Sequence, residues 1–295
     1  MLKEIIKNNK SFYLKLRFIR SIPQLWREFI AKQYNEDLEK FPAIMDPKDS
    51  DYLSVLDVTG NRIMVQGNGE EYFPIYAPDN VGSKGGFCRT YRNFYHQSFA
   101  FYMRKEVKNF IKYAKKCKIF IDIGAEEGYY SALFASMHDS SAEIFSVDCF
   151  SLYGCTPEHL PITRQINSAA FNPARWEIIP AYVSDSTGKP CGLDIPNNVR
   201  AMRLINICDE FNIKPDLLKF DIESSELEVI LDSEKLLSSY SPILIIEVHH
   251  KQLKERGKSF LPALTMLKKI GYDVVETDRK DWELNDAHIV LAKSA

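Results

Sequence analysis

The chain has 295 residues, of which 45% are hydrophobic, and its formal net charge is -2. This length and hydrophobic content are enough for one large hydrophobic core, or for one core with a small appendage. The near-neutral charge argues against binding nucleic acid, and no apolar run reaches the roughly 18 residues of a membrane span. The six cysteines form no C-x-x-C pair, which predicts reduced thiols in a cytoplasmic protein rather than disulfides or a zinc site.

Residues 1–97 are predicted to form an N-terminal extension that lacks the regular pattern of the remaining chain. Residues 1–33 carry eight Lys or Arg and two Glu, which indicates basic amphipathic helices. These helices are expected either to pack on the protein or to contact a membrane surface or a protein partner. Three further segments are predicted: a hairpin over 52–67 turning at Gly60-Asn61, a strand over 71–78 and a Gly-rich candidate lid over 80–97.

Residues 98–295 show the spacing of a βα-repeat domain. A helical segment comes first, and five nearly continuous apolar runs follow, with helical stretches between most of them, including 200–212 and 224–239. Such strands predict an α/β fold with a parallel sheet covered on both faces. The last two runs, "YDVVETD" and "AHIVLAKS", have no helix between them and should pair antiparallel. This layout resembles the seven-stranded, Rossmann-like sheet of class I methyltransferases.

The first of these strands ends in "IDIGAEEG", which spaces Asp122, Gly124 and Gly128 as D-x-G-x-x-x-G. Glycines allow a tight turn and a close approach to a ligand, which binds at the carboxyl ends of the strands in such sheets. Asp122 is expected to face an ammonium group or a water bound to it. The second strand ends at Asp148, an acid suited to the two hydroxyls of a ribose. Together these residues predict a nucleoside site.

Two glutamates, Glu126 and Glu127, stand between the glycines of this turn. A dinucleotide would place its pyrophosphate there, and a carboxylate about 4 Å from a phosphate costs roughly 4 kcal/mol at an effective dielectric near 20. S-adenosylmethionine has no phosphate and brings a sulfonium and an ammonium cation. The turn therefore favours S-adenosylmethionine over NAD, whether the two glutamates touch the ligand or point to solvent and serve the helix dipole.

A second constellation lies in "DLLKFDIESSELEVI" and "PILIIEVHH". On a strand Lys219, Asp221 and Glu223 share one face, and Glu247 and His249 share one face of the next strand. If the strands are neighbours, these groups converge beside Gly124 at the carboxyl edge of the sheet. Buried ionisable groups are costly unless they pair or bind something, so the set indicates either a functional site or a structural charge network.

The start of the following helix has its own pattern. Ser225 and Glu228 have the spacing of a capping box, which predicts structural roles for both. Glu226 lies in the first helical turn, where acids are favoured in any case, so its role is ambiguous.

Both motifs resemble the FkbM-type methyltransferases. "FIDIGAEEGYYSALFA" is similar to F-I-D-V-G-A-N-x-G-x-Y-S, and "DLLKFDIESSELEVI" with "ILIIEVH" is similar to D-L-L-K-x-D-V-E-G-x-E followed by V-E-V-H. The resemblance covers about residues 98–293 and implies an S-adenosylmethionine-dependent O-methyltransferase acting on a hydroxyl of a sugar, glycan or glycosylated natural product. It implies cofactor roles for Asp122, Gly124, Gly128 and Asp148. The chain departs from the family pattern at Glu126, at Asp148 and at Ser224, which replaces a usual glycine.

Methyl transfer to an alcohol needs a positioned hydroxyl and is helped by a general base. We expect His249 or Asp221 to be that base and Glu223 to orient the acceptor. A divalent metal such as Mg²⁺ could replace or assist the base, since Asp221, Glu223, Glu247 and His249 offer suitable ligands, but the sequence assigns no metal site. The N-P-P-Y type motif of nitrogen methyltransferases is absent, which favours oxygen as the target.

Two other function classes are also compatible with the sequence. One is a binding or scaffold protein that keeps the methyltransferase fold without catalysis and docks through its basic N-terminal helices. The other is an NAD-dependent oxidoreductase, although the chain lacks the full G-x-G-x-x-G fingerprint and a Tyr-x-x-x-Lys pair.

Overall fold

The computed structural model describes residues 62–66, 72–76, 99–149, 159–186 and 199–293. In chain order the strands are β1 (Arg62–Gln66), β2 (Tyr72–Tyr76), β3 (Ile119–Ile123), β4 (Glu143–Asp148), β5 (Arg175–Val183), β6 (Arg200–Met202), β7 (Leu217–Phe220), β8 (Ile243–Val248), β9 (Tyr272–Thr277) and β10 (Ala287–Lys293). The helices are α1 (Phe99–Ala114), α2 (Tyr129–His138), α3 (His159–Phe171), α4 (Leu204–Phe211), α5 (Glu226–Asp232), α6 (Glu234–Tyr240), α7 (His250–Glu255) and α8 (Leu261–Lys269).

One mixed sheet organises the described residues from 99 onward, in the strand order β6-β5-β4-β3-β7-β8-β10-β9. Strands β3 to β8 are parallel to their neighbours in this group, whereas β10 runs antiparallel to both β8 and β9. The predicted α/β class and the antiparallel terminal pair are confirmed, which is the layout expected from the resemblance to class I methyltransferases. Chain order reverses beside β3, between β4 and β7, so the carboxyl ends of these strands form a switch point where a ligand can bind.

The sheet differs from the predicted seven strands by one short edge strand. Residues 200–202, predicted as helical, instead pair with the carboxyl end of β5, where Met202 is buried opposite Val183. Helix α4 begins only after this strand. The helix predicted over 224–239 is two helices, because the chain breaks at Ser233, whose hydroxyl donates to the Val229 carbonyl at 2.7 Å and competes with the helical ladder.

Each face of the sheet carries its own hydrophobic core. Ile121, Ile123 and Phe145 belong to a cluster that includes residues of α4, α5 and α8. Phe120 and Ile144 alternate with them and belong to a second cluster that includes residues of α1 and α2. This alternation follows from the period of two along a strand, and burial on both faces explains why the strands read as continuous apolar runs.

Part of the predicted extension packs on the α/β domain. Strand β2 pairs antiparallel with β1, and Ile75 of β2 is fully buried in the second core. The backbone N–H and carbonyl of Tyr76 bond to the Asn167 side chain of α3 at 2.9 and 2.7 Å. The predicted turn at Gly60-Asn61, the basic helices and the candidate lid lie outside the described residues. Within the described part of the chain, no helix has the length and apolarity needed to cross a bilayer.

Candidate active site

The turn between β3 and α2 is shaped by close contacts with the rest of the protein. Gly124 and Gly128 have φ of 80° and 85°, and Glu126 between them has φ of 50°. A Cβ on Gly124 would stand 1.8 Å from the carbonyl oxygen of Asp221, so only glycine lets this turn lie against the end of β7. A Cβ on Gly128 would stand 2.6 Å from Leu160 of α3. Both glycines were predicted to approach a ligand. Gly124 lines the cleft and is also required by a backbone contact, whereas Gly128 is not among the cleft-lining residues and its Cβ would come closest to the end of a flexible side chain.

Asp148 lies at the carboxyl end of β4, where its carboxylate holds the glycine turn. Its Oδ2 atom accepts a hydrogen bond of 2.7 Å from the backbone N–H of Glu126. Asp148, Gly124 and Glu126 line a cleft with a volume of about 190 Å³. Asp148 is therefore placed where the sequence predicts a ribose-binding acid, at the wall of a cleft beside the switch point.

Asp122 and Glu127 occupy buried positions away from that wall. Asp122 is 1% exposed, and its Oδ2 accepts a hydrogen bond of 2.7 Å from the hydroxyl of Ser131 in α2. Burial raises the pKa of Asp122, while the nearby Lys219 opposes this shift. Neither Asp122 nor Glu127 is among the cleft-lining residues, whereas Glu126 is. The predicted contact between Asp122 and a ligand ammonium group thus stays a prediction.

The cleft joins apolar walls to an acidic end. Its lining residues come from the carboxyl ends of five strands and the turns that follow them: Ile123, Gly124, Glu126, Val147, Asp148, Cys149, Ala181, Tyr182, Val183, Asp221, Ile222, Glu223, Glu247 and His249. The apolar side chains cluster near β4 and β5, and the acids lie near β7 and β8. Among these residues, no lysine or arginine faces the cleft.

Three predicted site residues surround the ring of the fourth, His249. The His249 Nε2 atom lies 3.9 Å from Oδ1 of Asp221, 3.6 Å from Oε2 of Glu223 and 3.7 Å from Oε1 of Glu247. Lys219, the fifth member of the predicted set, donates a hydrogen bond of 3.0 Å to Oδ2 of Asp221. The convergence predicted from two separate segments is present in the structure because β7 and β8 are parallel neighbours.

The local geometry that produces this convergence differs from an extended strand. Strand β7 ends at Phe220, and Glu223 and Ser224 have φ of 55° and 77°. Glu223 therefore reaches His249 by a turn of the backbone and not by strand alternation. Ser224 occupies a left-handed conformation that favours glycine, which explains physically why a glycine suits this position. Arg256 stabilises the turn by donating hydrogen bonds to the carbonyl oxygen and the hydroxyl of Ser224.

The structure shows the contacts of Glu226, whose role the sequence left ambiguous. It is fully buried, and its Oε1 accepts a hydrogen bond of 2.8 Å from the Ile222 N–H and lies 3.1 Å from Nδ1 of His249. The predicted capping box is wrong, since Ser225 makes no side-chain cap and lies 3.0 Å from the Tyr182 hydroxyl. Glu228 instead pairs with Arg256 and Lys258. The buried Glu226 carboxylate therefore stabilises the turn before the helix, through the Ile222 N–H, and does not cap the helix itself.

A second charged network lies directly behind the cleft and was not found from the sequence. His288 on β10 lies 3.1 Å from Glu106, 3.1 Å from Oε2 of Glu247 and 3.0 Å from Asp278. Glu106, Asp278 and His288 are all at most 5% exposed. The sequence gives no local signal for this network, because Glu106 and Asp278 stand among other charged residues and the meeting depends on the register that sets His288 opposite Glu247.

Charges in the two networks shift each other's pKa values. Burial alone would lower the pKa of His249. This effect is outweighed by the hydrogen bond and charge of Glu226 and by the charges of Glu247 and Asp221, which raise the pKa to about 10. Burial and the charge of Glu247 raise the pKa of Asp221 to about 8, against the pull of Lys219. Burial would raise the pKa of Glu247, but the charge and hydrogen bond of His288 hold it well below its usual value. Such opposed shifts are typical of functional sites and of structural ion networks alike.

A model of the family described as the Methyltransferase FkbM domain matches residues 122–274. This span contains the glycine turn, Asp148 and the cluster around His249. Among curated proteins, none matches the chain.

Several solved methyltransferases resemble the chain at low identity. Methyltransferase FkbM from Methylobacillus flagellatus is 12% identical over 94% of this chain and 60% of its own, with a TM-score of 0.41. Precorrin-6y C5,15-methyltransferase from Geobacter metallireducens is 17% identical over 60% of this chain and 81% of its own, with a TM-score of 0.34. Ribosomal protein L11 methylase from Lactobacillus delbrueckii is 11% identical over 65% of this chain and 80% of its own, with a TM-score of 0.35. Likeness at this level carries no information about function.

Proposed function

Because the chain belongs to the FkbM methyltransferase family, we propose that it transfers the methyl group of S-adenosylmethionine to a hydroxyl of a sugar, a glycan or a glycosylated natural product. The observation that carries the proposal is a single cleft that joins a ribose-type acid, Asp148, to the acidic cluster around His249. A methyltransferase needs both parts in one place, since donor and acceptor must meet within bonding distance. We further propose a cytoplasmic location, in keeping with reduced thiols.

The donor side of the cleft suits a cationic nucleoside. The Glu126 N–H donates to the Asp148 carboxylate and orients it, and the carboxylate can accept further hydrogen bonds from ribose hydroxyls. Val147, Ala181 and Val183 offer an apolar surface for an adenine ring. The lining residues include five carboxylates and no lysine or arginine, which disfavours a pyrophosphate and favours a sulfonium. The same charge balance argues against an NAD-dependent oxidoreductase.

The acceptor side supplies the groups that a hydroxyl nucleophile requires. The acceptor oxygen attacks the methyl carbon in line with the breaking C–S bond, a C–O bond forms, and sulfur leaves as a neutral thioether. The hydroxyl proton must leave in the same process, and Asp221, Glu223 and His249 line the cleft where it would be released. In this scheme Asp221 receives the proton, unless a cation activates the hydroxyl, and Glu223 orients the acceptor. His249 is less suited to be the base, because its raised pKa keeps the ring protonated near neutral pH.

Transfer of radiolabel from S-[methyl-³H]adenosylmethionine to a panel of neutral glycans and glycosides tests this function. The full chain should label at least one acceptor in an alkali-stable linkage, as expected for a methyl ether. The Asp221→Asn variant should label the same acceptor far more slowly. Binding of S-adenosylmethionine with no transfer to any acceptor would support the alternative of a catalytically inactive scaffold protein.

A further inference from the structure

Three side chains at the acidic end of the cleft direct one polar atom each toward a common point. These atoms are a carboxylate oxygen of Asp221, a carboxylate oxygen of Glu247 and a ring nitrogen of His249, and all lie within 4.8 Å of one another. The measured distances from His249 Nε2 are 3.9 Å to Oδ1 of Asp221 and 3.7 Å to Oε1 of Glu247. Because the three residues line the cleft, the common point can be reached from solvent.

Each of the three side chains is anchored at its other polar atom by a buried partner. Lys219 donates to Oδ2 of Asp221 at 3.0 Å, and Nε2 of His288 lies 3.1 Å from Oε2 of Glu247. On His249, Nδ1 lies 3.1 Å from Oε1 of Glu226. A carboxylate on one ring nitrogen fixes the imidazole so that the other nitrogen is presented as a ligand, which is the usual arrangement behind metal-binding histidines.

The Nε2 atom of His249 is the observation that distinguishes this set from an ordinary acidic cluster. His249 is 7% exposed, and among the described residues no hydrogen-bond partner lies within reach of Nε2. Three carboxylate oxygens surround it at 3.6 to 3.9 Å, too far for a hydrogen bond. Ligand atoms that share one cation through bonds of about 2.1 Å lie about 3 to 4.2 Å apart, so the separations of Nε2 from Asp221 and Glu247 suit a shared ion.

The charge balance of the described residues also calls for a cation. Four carboxylates, those of Asp221, Glu223, Glu226 and Glu247, lie within 4 Å of the ring nitrogens of His249. Lys219 compensates one of them, the protonated ring of His249 can compensate a second, and His288 is shared between Glu247 and two further buried acids, so carboxylates still outnumber cations. Charges this close and this poorly solvated are stable only when they are matched, and a dication is the most compact way to match them.

From this geometry we propose that Asp221, Glu247 and His249 bind one divalent transition-metal ion of the Mn²⁺ type. Two carboxylates suit Mg²⁺, Ca²⁺ and Mn²⁺, but the imidazole favours a transition metal, and Ca²⁺ demands six to eight oxygens. Three protein ligands leave open positions that water or an acceptor oxygen fills. Glu223, whose Oε2 accepts a hydrogen bond from Gln252, lies beside the ion rather than among its ligands.

The chemical use of this ion rests on the proposed function, although its binding does not. An acceptor hydroxyl that coordinates the ion becomes more acidic, so its proton passes more readily to water or to Glu223 as the oxygen attacks the methyl group. The ion would then activate the hydroxyl, so that no strong protein base is needed. This would explain why the histidine and the carboxylates surround one point instead of standing separately along the cleft.

Titration of the chelator-treated full chain with Mn²⁺, followed by the electron paramagnetic resonance signal of the free ion, tests the proposal. The wild-type protein should bind one ion per chain. Asp221→Asn and His249→Ala should each weaken binding by more than about tenfold. His250→Ala is the matched control, because this neighbouring histidine lies outside the ligand set, and it should bind Mn²⁺ like the wild type. Circular dichroism confirms that each variant is folded.

A second measurement needs no variant. Mn²⁺ binds only the folded site, so it should raise the melting temperature of the wild-type protein, and Ca²⁺ at the same concentration should raise it less. Absence of Mn²⁺ binding, or equal binding by wild type and both ligand variants, would overturn the inference. Titration of the same chelated protein with S-adenosylmethionine separates the two proposals: cofactor binding without Mn²⁺ binding defeats the metal site alone, and the reverse result defeats the proposed donor alone.

Discussion

Glu247 and His288 lie opposite each other across β8 and β10, with Oε2 of the glutamate 3.1 Å from Nε2 of the histidine. The other oxygen of Glu247 faces His249 in the cleft. This pair therefore connects the candidate active site to the buried charged network of Glu106, Asp278 and His288. His288 is the cation to which Glu106, Glu247 and Asp278 are all directed. The stability of the domain should therefore depend on it.

Replacement of His288 by Leu should destabilise the protein strongly. The change leaves three carboxylates without their shared cation in a poorly solvated site, and removal of one partner from a buried ion pair costs about 3–5 kcal/mol. Urea denaturation of the full chain measures the loss. His250→Leu serves as the control for removal of a histidine and should cost much less. A loss below about 1 kcal/mol for His288→Leu would show that the network carries little of the folding energy.

Gly124 should tolerate no side chain. Gly124→Ala adds a Cβ at 1.8 Å from the Asp221 carbonyl oxygen and forces alanine to a φ of 80°. We expect a loss of about 3 kcal/mol or more, combining left-handed strain of about 1–2 kcal/mol with the cost of overpacking. Gly257→Ala is matched in backbone conformation, with φ of 67°, but its Cβ would meet nothing within 4 Å. It should lose only the strain, so equal losses in denaturant would contradict the contact between the two turns.

Ser224 should accept glycine but not a β-branched residue. Its φ of 77° strains any side chain, and its hydroxyl accepts a hydrogen bond from Arg256 at 3.0 Å. Ser224→Gly relieves the strain and loses the hydrogen bond, so its stability should stay within about 1 kcal/mol of the wild type. Ser224→Val keeps the strain, loses the bond and crowds a buried position, so it should lose more than about 2 kcal/mol. Comparable thermal unfolding of the two variants would contradict this account.

The alkylation rates of the cysteine thiols should depend on their burial and on whether a ligand occupies the cleft. Burial is the main reason that the pKa values of Cys117 and Cys208 are raised to about 12, so near pH 8 only about one such thiol in ten thousand is the reactive thiolate. Both should resist iodoacetamide in the folded protein. Cys149 lines the cleft and should react, and S-adenosylmethionine should slow its reaction. Peptide mass spectrometry resolves each site, and equal labelling of Cys149 with and without the cofactor would place the ligand elsewhere.

Local sequence patterns predicted those features of the fold that depend on local burial. Strands such as β3 and β8 are buried on both faces, so they appear as continuous apolar runs that need no tertiary information. The convergence of Asp221 with His249 could also be inferred, because parallel neighbouring strands bring their carboxyl ends to the same edge.

Features that depend on long-range pairing could not be predicted. The edge strand β6 exists only because β5 offers a free edge, and His288 meets Glu247 only through the register of β10 on β8. The capping box failed because Ser225 turns toward Tyr182, a contact between residues 43 positions apart. The residue types at Glu223 and Ser224 do not indicate a left-handed turn, since neither is glycine, and only the usual glycine of the family pattern at the position of Ser224 pointed to it.

Calorimetric titration with S-adenosylmethionine tests the central claim, that the Asp148 cleft holds the methyl donor. The wild-type chain should bind one equivalent, and Asp148→Asn should bind on the order of 10- to 100-fold more weakly, the loss expected for charged hydrogen bonds to ribose hydroxyls. Glu143→Gln, which neutralises a half-buried acid at the opposite end of the same strand, should leave the affinity unchanged. Equal affinity of wild type and Asp148→Asn, or no binding by the wild type, would contradict the assignment of the donor site.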